Sequence, residues 1–213
     1  MKIKLAYPKI PDTLDCPLKQ CVAFEKYDGT NIHFVLEPYA GWMDFGTRRD
    51  RFPLNNGGVN KFEQAHPELA GLDNFWDQDA KLEFFLMDHP KYSKAKEIIV
   101  FAEYFGAKSF AGSHQDDDAM KFVIIDVQVD GQILPPEEFI EEFGQFNIAR
   151  VIFKGKFTGQ LFVDVRKGKY DVKEGVVVKG MVDKKVYMAK IKTDTYLQRL
   201  KTQFKENWKE YWE

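Results

Sequence analysis

Cysteine and histidine are scarce in this sequence, and they form no pattern typical of a disulfide framework or a metal site. Only two cysteines, Cys16 and Cys21, occur among 213 residues, which is too few to cross-link a fold. No second Cys or His pair follows them at the spacing of a zinc site. The four histidines show no HExxH or related spacing. We therefore interpret both cysteines as ordinary thiols and expect no histidine-based metal site.

Long apolar runs and an excess of one charge are also lacking. No segment approaches the roughly 20 apolar residues that a membrane-spanning helix needs, and the N-terminal residues lack the features of a signal peptide. The 31 Lys and Arg against 33 Asp and Glu leave a net charge of −2, unlike a protein that coats nucleic acid nonspecifically. We expect a cytoplasmic protein with no membrane partner, in which any nucleic-acid contact comes from a local basic face.

The composition favours a folded core, and alternating apolar and polar residues predict most of its strands. Hydrophobic residues make up 44% of the chain, and at this length one domain spanning residues 1–213 is expected. Residues 21–26 and 31–37 alternate around Tyr27-Asp28-Gly29-Thr30, so they predict a β-hairpin with Lys26 at its tip. Further strands are predicted at residues 97–104, 121–127, 128–134, 150–157, 174–179 and 185–192.

Helices are fewer than strands in the predicted fold. Residues 136–143 begin with proline and two glutamates, as a helix N-terminus should, and residues 60–88 are predicted to be helical in parts. Apolar residues recur at helical spacing in a C-terminal helix at about 194–212, and residues 109–119 predict a flexible loop. Together these elements predict an α+β fold with two antiparallel β-sheets and flanking helices.

A short motif at the predicted hairpin tip contains a candidate nucleophile. Lys26 is followed by Asp28 and Gly29 in the pattern Lys-x-Asp-Gly. The pattern alone is weak, because a surface lysine beside a tight turn would look the same. A lysine that attacks phosphorus has to lose its proton, which requires desolvation or neighbouring cations. The hypothesis therefore depends on charges elsewhere in the chain.

Suitable charges occur downstream of the motif. Lys190 and Lys192 lie two residues apart on a predicted strand and so face the same side, where they can disfavour charge on a third lysine and neutralise phosphoryl charge. Glu174 precedes an apolar strand and can hold Mg²⁺, and Glu103 ends another such strand. For Lys190 and Lys192 the alternative is that they protect an edge strand from pairing with another chain. For Glu174 it is that the residue merely ends a loop.

In the order and spacing of these residues, the chain resembles the covalent nucleotidyltransferase superfamily of RNA and DNA ligases and mRNA capping enzymes. The resemblance is greatest to the ATP-dependent RNA ligase family and extends from Lys26 to Lys192. It implies a ligase-type nucleotidyltransferase domain of ATP-grasp-like architecture. No appended OB barrel is expected, because few residues follow Lys192.

The resemblance implies a role for each matching residue. Lys26 is implied as the nucleophile that becomes adenylylated, and Glu174 as the carboxylate that serves the metal ion. Ile125 stands where many members place an aromatic residue over adenine. The implied nucleotide contacts are Glu25, Lys26, Asp28, Gly29, Arg48, Glu103, Ile125, Lys179, Lys190 and Lys192. The candidate nucleic-acid contacts are Arg48, Arg49, Arg166, Lys167 and Lys169.

The function expected on this basis is that of an ATP-dependent RNA ligase or its adenylyltransferase core, with ATP and Mg²⁺ or Mn²⁺ as cofactors. AMP would pass from ATP to Lys26 and then to a 5′-phosphate end, where a 3′-hydroxyl would displace it to form a phosphodiester. RNA, as a nicked duplex or with 5′-phosphate ends, is the expected partner, and an end-healing or accessory protein is a candidate partner. Two alternatives stay open: a noncatalytic nucleic-acid end-binding protein with the ligase fold, and a DNA-sealing ligase.

Substitution of Lys26 tests the motif. We expect Lys26→Ala to abolish covalent AMP transfer while the fold stays intact, because a lysine beside a turn contributes little packing. Lys26→Arg should fail as well, since a guanidinium keeps its charge. The measurement is incubation with α-labelled ATP followed by a denaturing gel, and a labelled Lys26→Ala protein would eliminate this nucleophile.

Overall fold

The computed structural model describes residues 6–69, 72, 80–107 and 117–211, with side chains to residue 208. The strands in this part of the chain are β1 (Gln20–Lys26), β2 (Thr30–Glu37), β3 (Gly41–Thr47), β4 (Phe52–Pro53), β5 (Ile98–Phe105), β6 (Lys121–Val129), β7 (Gln132–Ile133), β8 (Val151–Lys156), β9 (Gly175–Val182) and β10 (Lys185–Lys192). The α-helices are α1 (Asn56–Ala65), α2 (Ala80–Asp88), α3 (Pro136–Phe143), α4 (Gly159–Arg166) and α5 (Asp194–Phe204). Short 3₁₀ helices occur at Pro67–Leu69, Tyr92–Lys94 and Lys205–Tyr211.

The strands belong to two sheets with antiparallel pairing, which confirms the predicted α+β fold. The first of two compact units contains the described residues among 1–8, 30–104 and 121–134. Its six-stranded sheet has the order β4-β3-β2-β5-β6-β7. Helix α1 begins after Asn55, whose side-chain oxygen accepts a hydrogen bond of 2.9 Å from the Gly58 N–H and so caps the helix.

The second unit contains the described residues among 9–29, 105–120 and 135–213, and its four-stranded sheet has the order β10-β9-β1-β8. Helix α4 packs on one face of this sheet through Leu161 and Val165. Side chains alternate along a strand, so Phe24 and Lys26 of β1 lie on the other face. The core on the α4 side consists of Leu18, Cys21, Ala23, Leu161, Val165, Val176, Val178, Ala189 and Ile191.

The predicted hairpin around Lys26 is wrong, although both of its strands exist. Strand β1 pairs with β8 and β9, whereas β2 pairs with β3 and β5. Four successive residues of β1 and five of β2 are buried, so each strand is an internal strand with two neighbours in its own sheet. The residues Tyr27-Asp28-Gly29 therefore connect two sheets, and Lys26 is the last residue of an internal strand.

Other elements also differ from the sequence pattern. The pattern does not predict β3, β4 or α4, and Arg166, a candidate nucleic-acid contact, is the last residue of α4. The C-terminal α-helix ends at Phe204, short of residue 212, because Lys205 adopts a left-handed conformation with φ 48°. Most of the loop predicted at residues 109–119 lies outside the described residues. The single domain expected over residues 1–213 stays a prediction.

Gly175 is required by the close approach of β9 and β10. A Cβ at this residue would lie 2.0 Å from the Ile191 carbonyl oxygen, far inside van der Waals contact. The sheet pairs Gly175 with Lys26 on β1 and with Lys192 on β10. A side chain at residue 175 would therefore push apart the strand ends that carry these two lysines.

His33 is a buried histidine on β2 of the first unit. Its side chain is 0% exposed, and within the described residues neither ring nitrogen has a hydrogen-bond partner. Burial, with a smaller contribution from the charge of Arg51, lowers the pKa of His33 from 6.5 to about 4. The imidazole is therefore neutral in the folded protein at neutral pH.

The folded state should lose stability on acidification because of His33. Between pH 6.5 and about 4, the unfolded chain takes up a proton at this residue and the folded protein does not, so the free energy of unfolding falls as the pH falls. The expected loss is about 3 kcal/mol across this range. Urea unfolding of the wild-type chain and His33→Phe at several pH values measures it, and a difference between the two proteins that does not change with pH would contradict the assignment.

Candidate active site

The strand register of the second unit brings two of the predicted lysines to one place. Gly175 on β9 pairs with Lys26 on β1 and also with Lys192 on β10. Glu174 immediately precedes Gly175, so its side chain begins at the end of the sheet that both lysines share. The antiparallel ladder therefore sets this arrangement through backbone hydrogen bonds.

Glu174 forms ion pairs with both lysines. Its Oε1 lies 2.9 Å from Lys26 Nζ and 3.2 Å from Lys192 Nζ. The side chains of Glu174 and Lys192 are 3% and 6% exposed, whereas that of Lys26 is 23% exposed. A single buried carboxylate thus holds two ammonium groups, and the more accessible one belongs to the candidate nucleophile.

The two ammonium groups disfavour each other's charge. Burial lowers the pKa of Lys192 below its usual value, and the charge of Lys26 lowers it further. The Glu174 carboxylate acts in the opposite direction, because it favours the protonated lysine. The cluster therefore combines desolvation and a neighbouring cation, which are the two means by which a protein prepares a lysine for nucleophilic attack.

Asp28 is held by a tyrosine that the sequence analysis did not identify. The Tyr196 hydroxyl, on α5, donates to Asp28 Oδ1 at 3.0 Å, and Lys192 Nζ lies 5.0 Å from the centre of the Tyr196 ring. Asp28 is buried, and its Oδ2 has no hydrogen-bond partner in the part of the chain that the structure describes. The only sequence signal for Tyr196 is its place in the first turn of the predicted C-terminal helix, just after Lys192. Gly29 follows Asp28, ends the connection between β1 and β2, and is half-buried.

Glu25 pairs with an arginine that the sequence analysis also did not identify. Its Oε2 accepts a hydrogen bond of 2.9 Å from Arg150 Nε, and Arg150 Nη2 also donates to the Asp171 carbonyl. Because neighbouring residues on a strand face opposite sides, Glu25 and Lys26 lie on opposite faces of β1. Glu25 and Lys26, although adjacent in sequence, are therefore separated by the sheet. Arg150 is too distant from Glu25 in sequence to be recognised as its partner.

Lys179 and Lys190 are buried lysines of the same sheet. Lys179 Nζ lies 4.7 Å from the centre of the Phe24 ring and 5.7 Å from that of Phe139, so its charge is stabilised by aromatic faces. Lys190 belongs to β10, and its backbone N–H donates to the Pro11 carbonyl at 2.9 Å. Lys190 and Lys192 lie on the same face of β10, as expected from their spacing.

A cavity of about 490 Å³ in the second unit is lined by three predicted site residues, Arg166, Lys190 and Lys192. Arg166 pairs with Asp194, and its guanidinium lies 5.8 Å from the centre of the Phe162 ring, which also lines the cavity. The structure therefore places one candidate nucleic-acid contact beside two candidate nucleotide contacts.

The remaining basic residues near α4 lie on its exposed end. Lys169 is 65% exposed and forms an ion pair of 2.8 Å with Asp164, which raises the pKa of Lys169. Lys167 follows the last residue of α4 and is exposed. These residues do not line the 490 Å³ cavity. Their exposure leaves them open to solvent, as a contact with a phosphate backbone requires.

The other predicted residues belong to the first unit. Glu103 lies on β5 opposite Asn31 of β2. Ile125 is half-buried on β6, and its neighbour Asp126 accepts a hydrogen bond from the hydroxyl of Tyr7. Since residues next to each other on a strand alternate, Ile125 faces away from that contact.

Two arginines of the first unit follow β3. Arg48 Nε donates to the Tyr7 carbonyl at 3.0 Å, and the Arg48 carbonyl accepts from the Ala6 N–H at 2.9 Å. Arg49 is exposed, and its backbone N–H donates to Thr47 Oγ1. Arg48 is thus fastened to the N-terminal segment, whereas the side chain of Arg49 faces solvent.

The carboxylates of the second unit fit a metal ion that is shared with substrate phosphates. Within the described part of the chain, no group of three or more His, Cys, Asp or Glu side chains could hold a metal by itself. Mg²⁺ is typically bound through one or two carboxylates together with substrate phosphates. Glu174 and Asp28, whose Oδ2 has no hydrogen-bond partner among the described residues, supply that number of carboxylates.

The chain belongs to the RNA ligase family. The model of this family, described as RNA ligase, matches residues 19–192, a range that includes Lys26, Glu174 and Lys192. The match confirms the family that the sequence motifs indicate. No curated protein sequence matches the chain.

Solved structures of RNA ligases have a similar fold. An archaeal ATP-dependent RNA ligase matches 94% of this chain and 52% of its own, with a TM-score of 0.56 and 16% identity. A Naegleria gruberi RNA ligase with PPi matches 95% of this chain and 60% of its own, with a TM-score of 0.60 and 12% identity. A mutant of the Naegleria gruberi enzyme with ATP and Mn matches 93% of this chain and 59% of its own, with a TM-score of 0.57 and 11% identity.

At these identities the structural likeness concerns the fold alone. The chain spans between 52% and 60% of the length of these three ligase chains. In the residues that the structure describes, no helix has the length and apolar character needed to cross a membrane.

Removal of the Glu174 charge should destabilise the second unit. In Glu174→Gln, two ammonium groups would face a neutral amide, so we expect the free energy of unfolding at pH 7 to fall by about 3 kcal/mol. The loss should shrink as the pH rises, because a lysine that loses its proton no longer repels its neighbour.

Urea unfolding at pH 7 and near pH 10 provides the measurement. Glu141→Gln is the matched control, since Glu141 is exposed on α3 and its substitution should change stability by less than about 0.5 kcal/mol. Equal stability of Glu174→Gln and the control at both pH values would show that the ion pairs contribute nothing.

Proposed function

We propose that this chain is the adenylyltransferase core of an ATP-dependent RNA ligase and that Lys26 is its nucleophile. The observation that carries the proposal is the shared contact of Lys26 and Lys192 with the buried Glu174 carboxylate. Membership of the RNA ligase family supports the class of reaction. The structure of a Naegleria gruberi RNA ligase mutant with ATP and Mn supports ATP and a divalent cation as cofactors.

In the first transfer, the lone pair of Lys26 Nζ forms a bond to the α-phosphorus of ATP. The bond from that phosphorus to the oxygen bridging to the β-phosphate breaks, and pyrophosphate leaves with the electron pair. The Lys26 ammonium loses one proton to solvent before the attack and a second after it, and AMP stays on the lysine as a phosphoramidate. The overall change is one P–N bond formed and one P–O bond broken.

Lys26 has to be neutral when it attacks, and its surroundings act on its proton in two directions. The Lys192 ammonium favours loss of the proton, whereas the Glu174 carboxylate favours its retention. Glu174 and Asp28 are the residues that would hold Mg²⁺ or Mn²⁺, an ion that when bound neutralises charge on phosphate oxygens. In this proposal the Lys192 ammonium stabilises the charge that develops on the α-phosphate.

The remaining nucleotide contacts and the RNA contacts are proposed from the family resemblance. We assign the nucleotide to Glu25, Gly29, Arg48, Glu103, Ile125, Lys179 and Lys190 in addition to the cluster residues. The polynucleotide is assigned to Arg48, Arg49, Arg166, Lys167 and Lys169. Support for the second assignment comes from the exposed Lys167 and Lys169 beside α4, because phosphate contacts position a nucleic acid without reading its sequence. An accessory protein that brings the ends together is a proposed partner.

A labelling and sealing experiment tests the proposed function. The purified chain, with α-labelled ATP and Mg²⁺ or Mn²⁺, should acquire a label that survives denaturation and is released by acid. A chase with 5′-phosphorylated nicks made of RNA, DNA or mixed strands should move the label to RNA ends and produce sealed product. Lys185→Ala is the matched control for loss of one lysine, since Lys185 is exposed at the opposite end of β10 from Lys192 and should still be labelled.

The outcomes of this experiment distinguish an RNA ligase from the alternative functions. A chain that binds nicked RNA but never takes up label would be a noncatalytic end-binding protein, and the proposal would fail. Sealing of DNA nicks alone would identify a DNA ligase. Label on the chain without sealed product would limit the activity to the first transfer, unless pre-adenylylated RNA is sealed when it is supplied directly.

A further inference from the structure

Tyr196 contacts two residues of the candidate active site, although it lies in α5 beyond the last strand. Its hydroxyl donates to Asp28 Oδ1 at 3.0 Å, and its ring lies 5.0 Å from Lys192 Nζ. The residue is 2% exposed. The transfer proposed above gives this tyrosine no role, so its contacts require a separate explanation.

We propose that Tyr196 is a positioning residue, which holds Asp28 and Lys192 in place for adenylylation of Lys26. The inference rests on the proposed function, because it concerns the same reaction. In this role Tyr196 acts through the two residues that it contacts and not through a contact of its own with the nucleotide.

The hydroxyl group orients the Asp28 carboxylate. The phenol of Tyr196 is the donor of this bond, and Asp28 Oδ1 is the acceptor at 3.0 Å. A hydrogen bond to a carboxylate is about twice as strong as one between neutral groups. This bond occupies Oδ1 alone, and no described residue forms a hydrogen bond with the buried Oδ2. The tyrosine therefore fixes the Asp28 rotamer and leaves one oxygen available to a ligand.

The ring of Tyr196 restrains the Lys192 ammonium. An ammonium group over an aromatic face is attracted by the ring quadrupole, and the attraction is larger in a desolvated site. Lys192 Nζ lies between the Glu174 carboxylate at 3.2 Å and the Tyr196 ring at 5.0 Å. Two contacts of different kinds thus define the position of the charge that faces the α-phosphate.

The start of α5 is fastened to the backbone that carries Glu174. The Thr193 N–H donates to the Glu174 carbonyl at 2.9 Å, and the Thr193 hydroxyl donates to the Lys173 carbonyl at 3.2 Å. The same hydroxyl oxygen accepts from the Tyr196 N–H at 3.1 Å. Because Thr193 connects both segments, the place of Tyr196 is set by the same backbone that places Glu174.

Single-turnover labelling over a range of ATP concentrations tests the proposal. Tyr196→Phe keeps the ring and removes the hydroxyl, so we expect the maximal rate of self-adenylylation to fall by about tenfold or more, as for loss of a charged hydrogen bond. The ATP concentration that gives half of the maximal rate should change by less than about twofold, since Tyr196 does not touch ATP. Tyr196→Leu, which also removes the ring, should be slower than Tyr196→Phe.

Tyr187→Phe is the matched control, because Tyr187 lies on β10 of the same unit and packs against its core, outside the cluster. This variant should match the wild-type chain in rate. Thermal unfolding of all variants identifies any that do not fold, and Tyr196→Phe should unfold within a few degrees of the wild-type chain.

The possible results separate the inference from the function on which it rests. A wild-type chain that takes up no label would overturn the proposed function and, with it, the inference. Normal labelling of both the wild-type chain and Tyr196→Phe would overturn the inference alone. The same would follow if Tyr196→Phe changed only the half-saturating ATP concentration, because that pattern belongs to a residue that binds the nucleotide.

Discussion

The Glu174 carboxylate is the interaction on which the candidate active site depends. It is almost fully buried and forms ion pairs with two ammonium groups at 2.9 and 3.2 Å. Charges attract more strongly away from water, but each also loses hydration, so a buried group of this kind persists only when every charge has a partner. The pairing of β9 with β1 and β10, the close approach at Gly175 and the Thr193 hydrogen bond all serve to place this one carboxylate.

Much of the fold could be predicted from the sequence, because local patterns decide where strands and helices form. Helix α3 has the predicted bounds, and β5, β8 and β10 lie within one residue of theirs at each end. Local patterns do not decide which strands pair, because pairing depends on which strands come together in space. The turn residues after Lys26 favour a hairpin, but β1 and β2 are internal strands whose apolar residues require neighbours on both sides, and they joined different sheets. Helix α4 has few sequence signals beyond its Thr158 cap.

Part of the candidate site could be predicted from the sequence. This part consists of charged residues at the spacing of known motifs. Lys26, Glu174 and Lys192 are far apart in sequence, yet the ladder brings them into contact, as the family resemblance led us to expect. Tyr196 and Arg150 could not be predicted, because each is an ordinary residue type whose role comes from one partner distant in the chain. The partners of Asp28 and Glu25 are therefore properties of the fold and leave no local signature.

Gly175 changes how the mutational tolerance of this protein should be interpreted. In a saturation screen scored by ligation, replacements at residue 175 would rank among the most harmful, because a Cβ would collide with the Ile191 carbonyl oxygen. Such a ranking would make Gly175 look like part of the reacting machinery, although it supplies no functional group. The set of intolerant positions would be larger than the set of reactive ones, and backbone proximity would account for the difference.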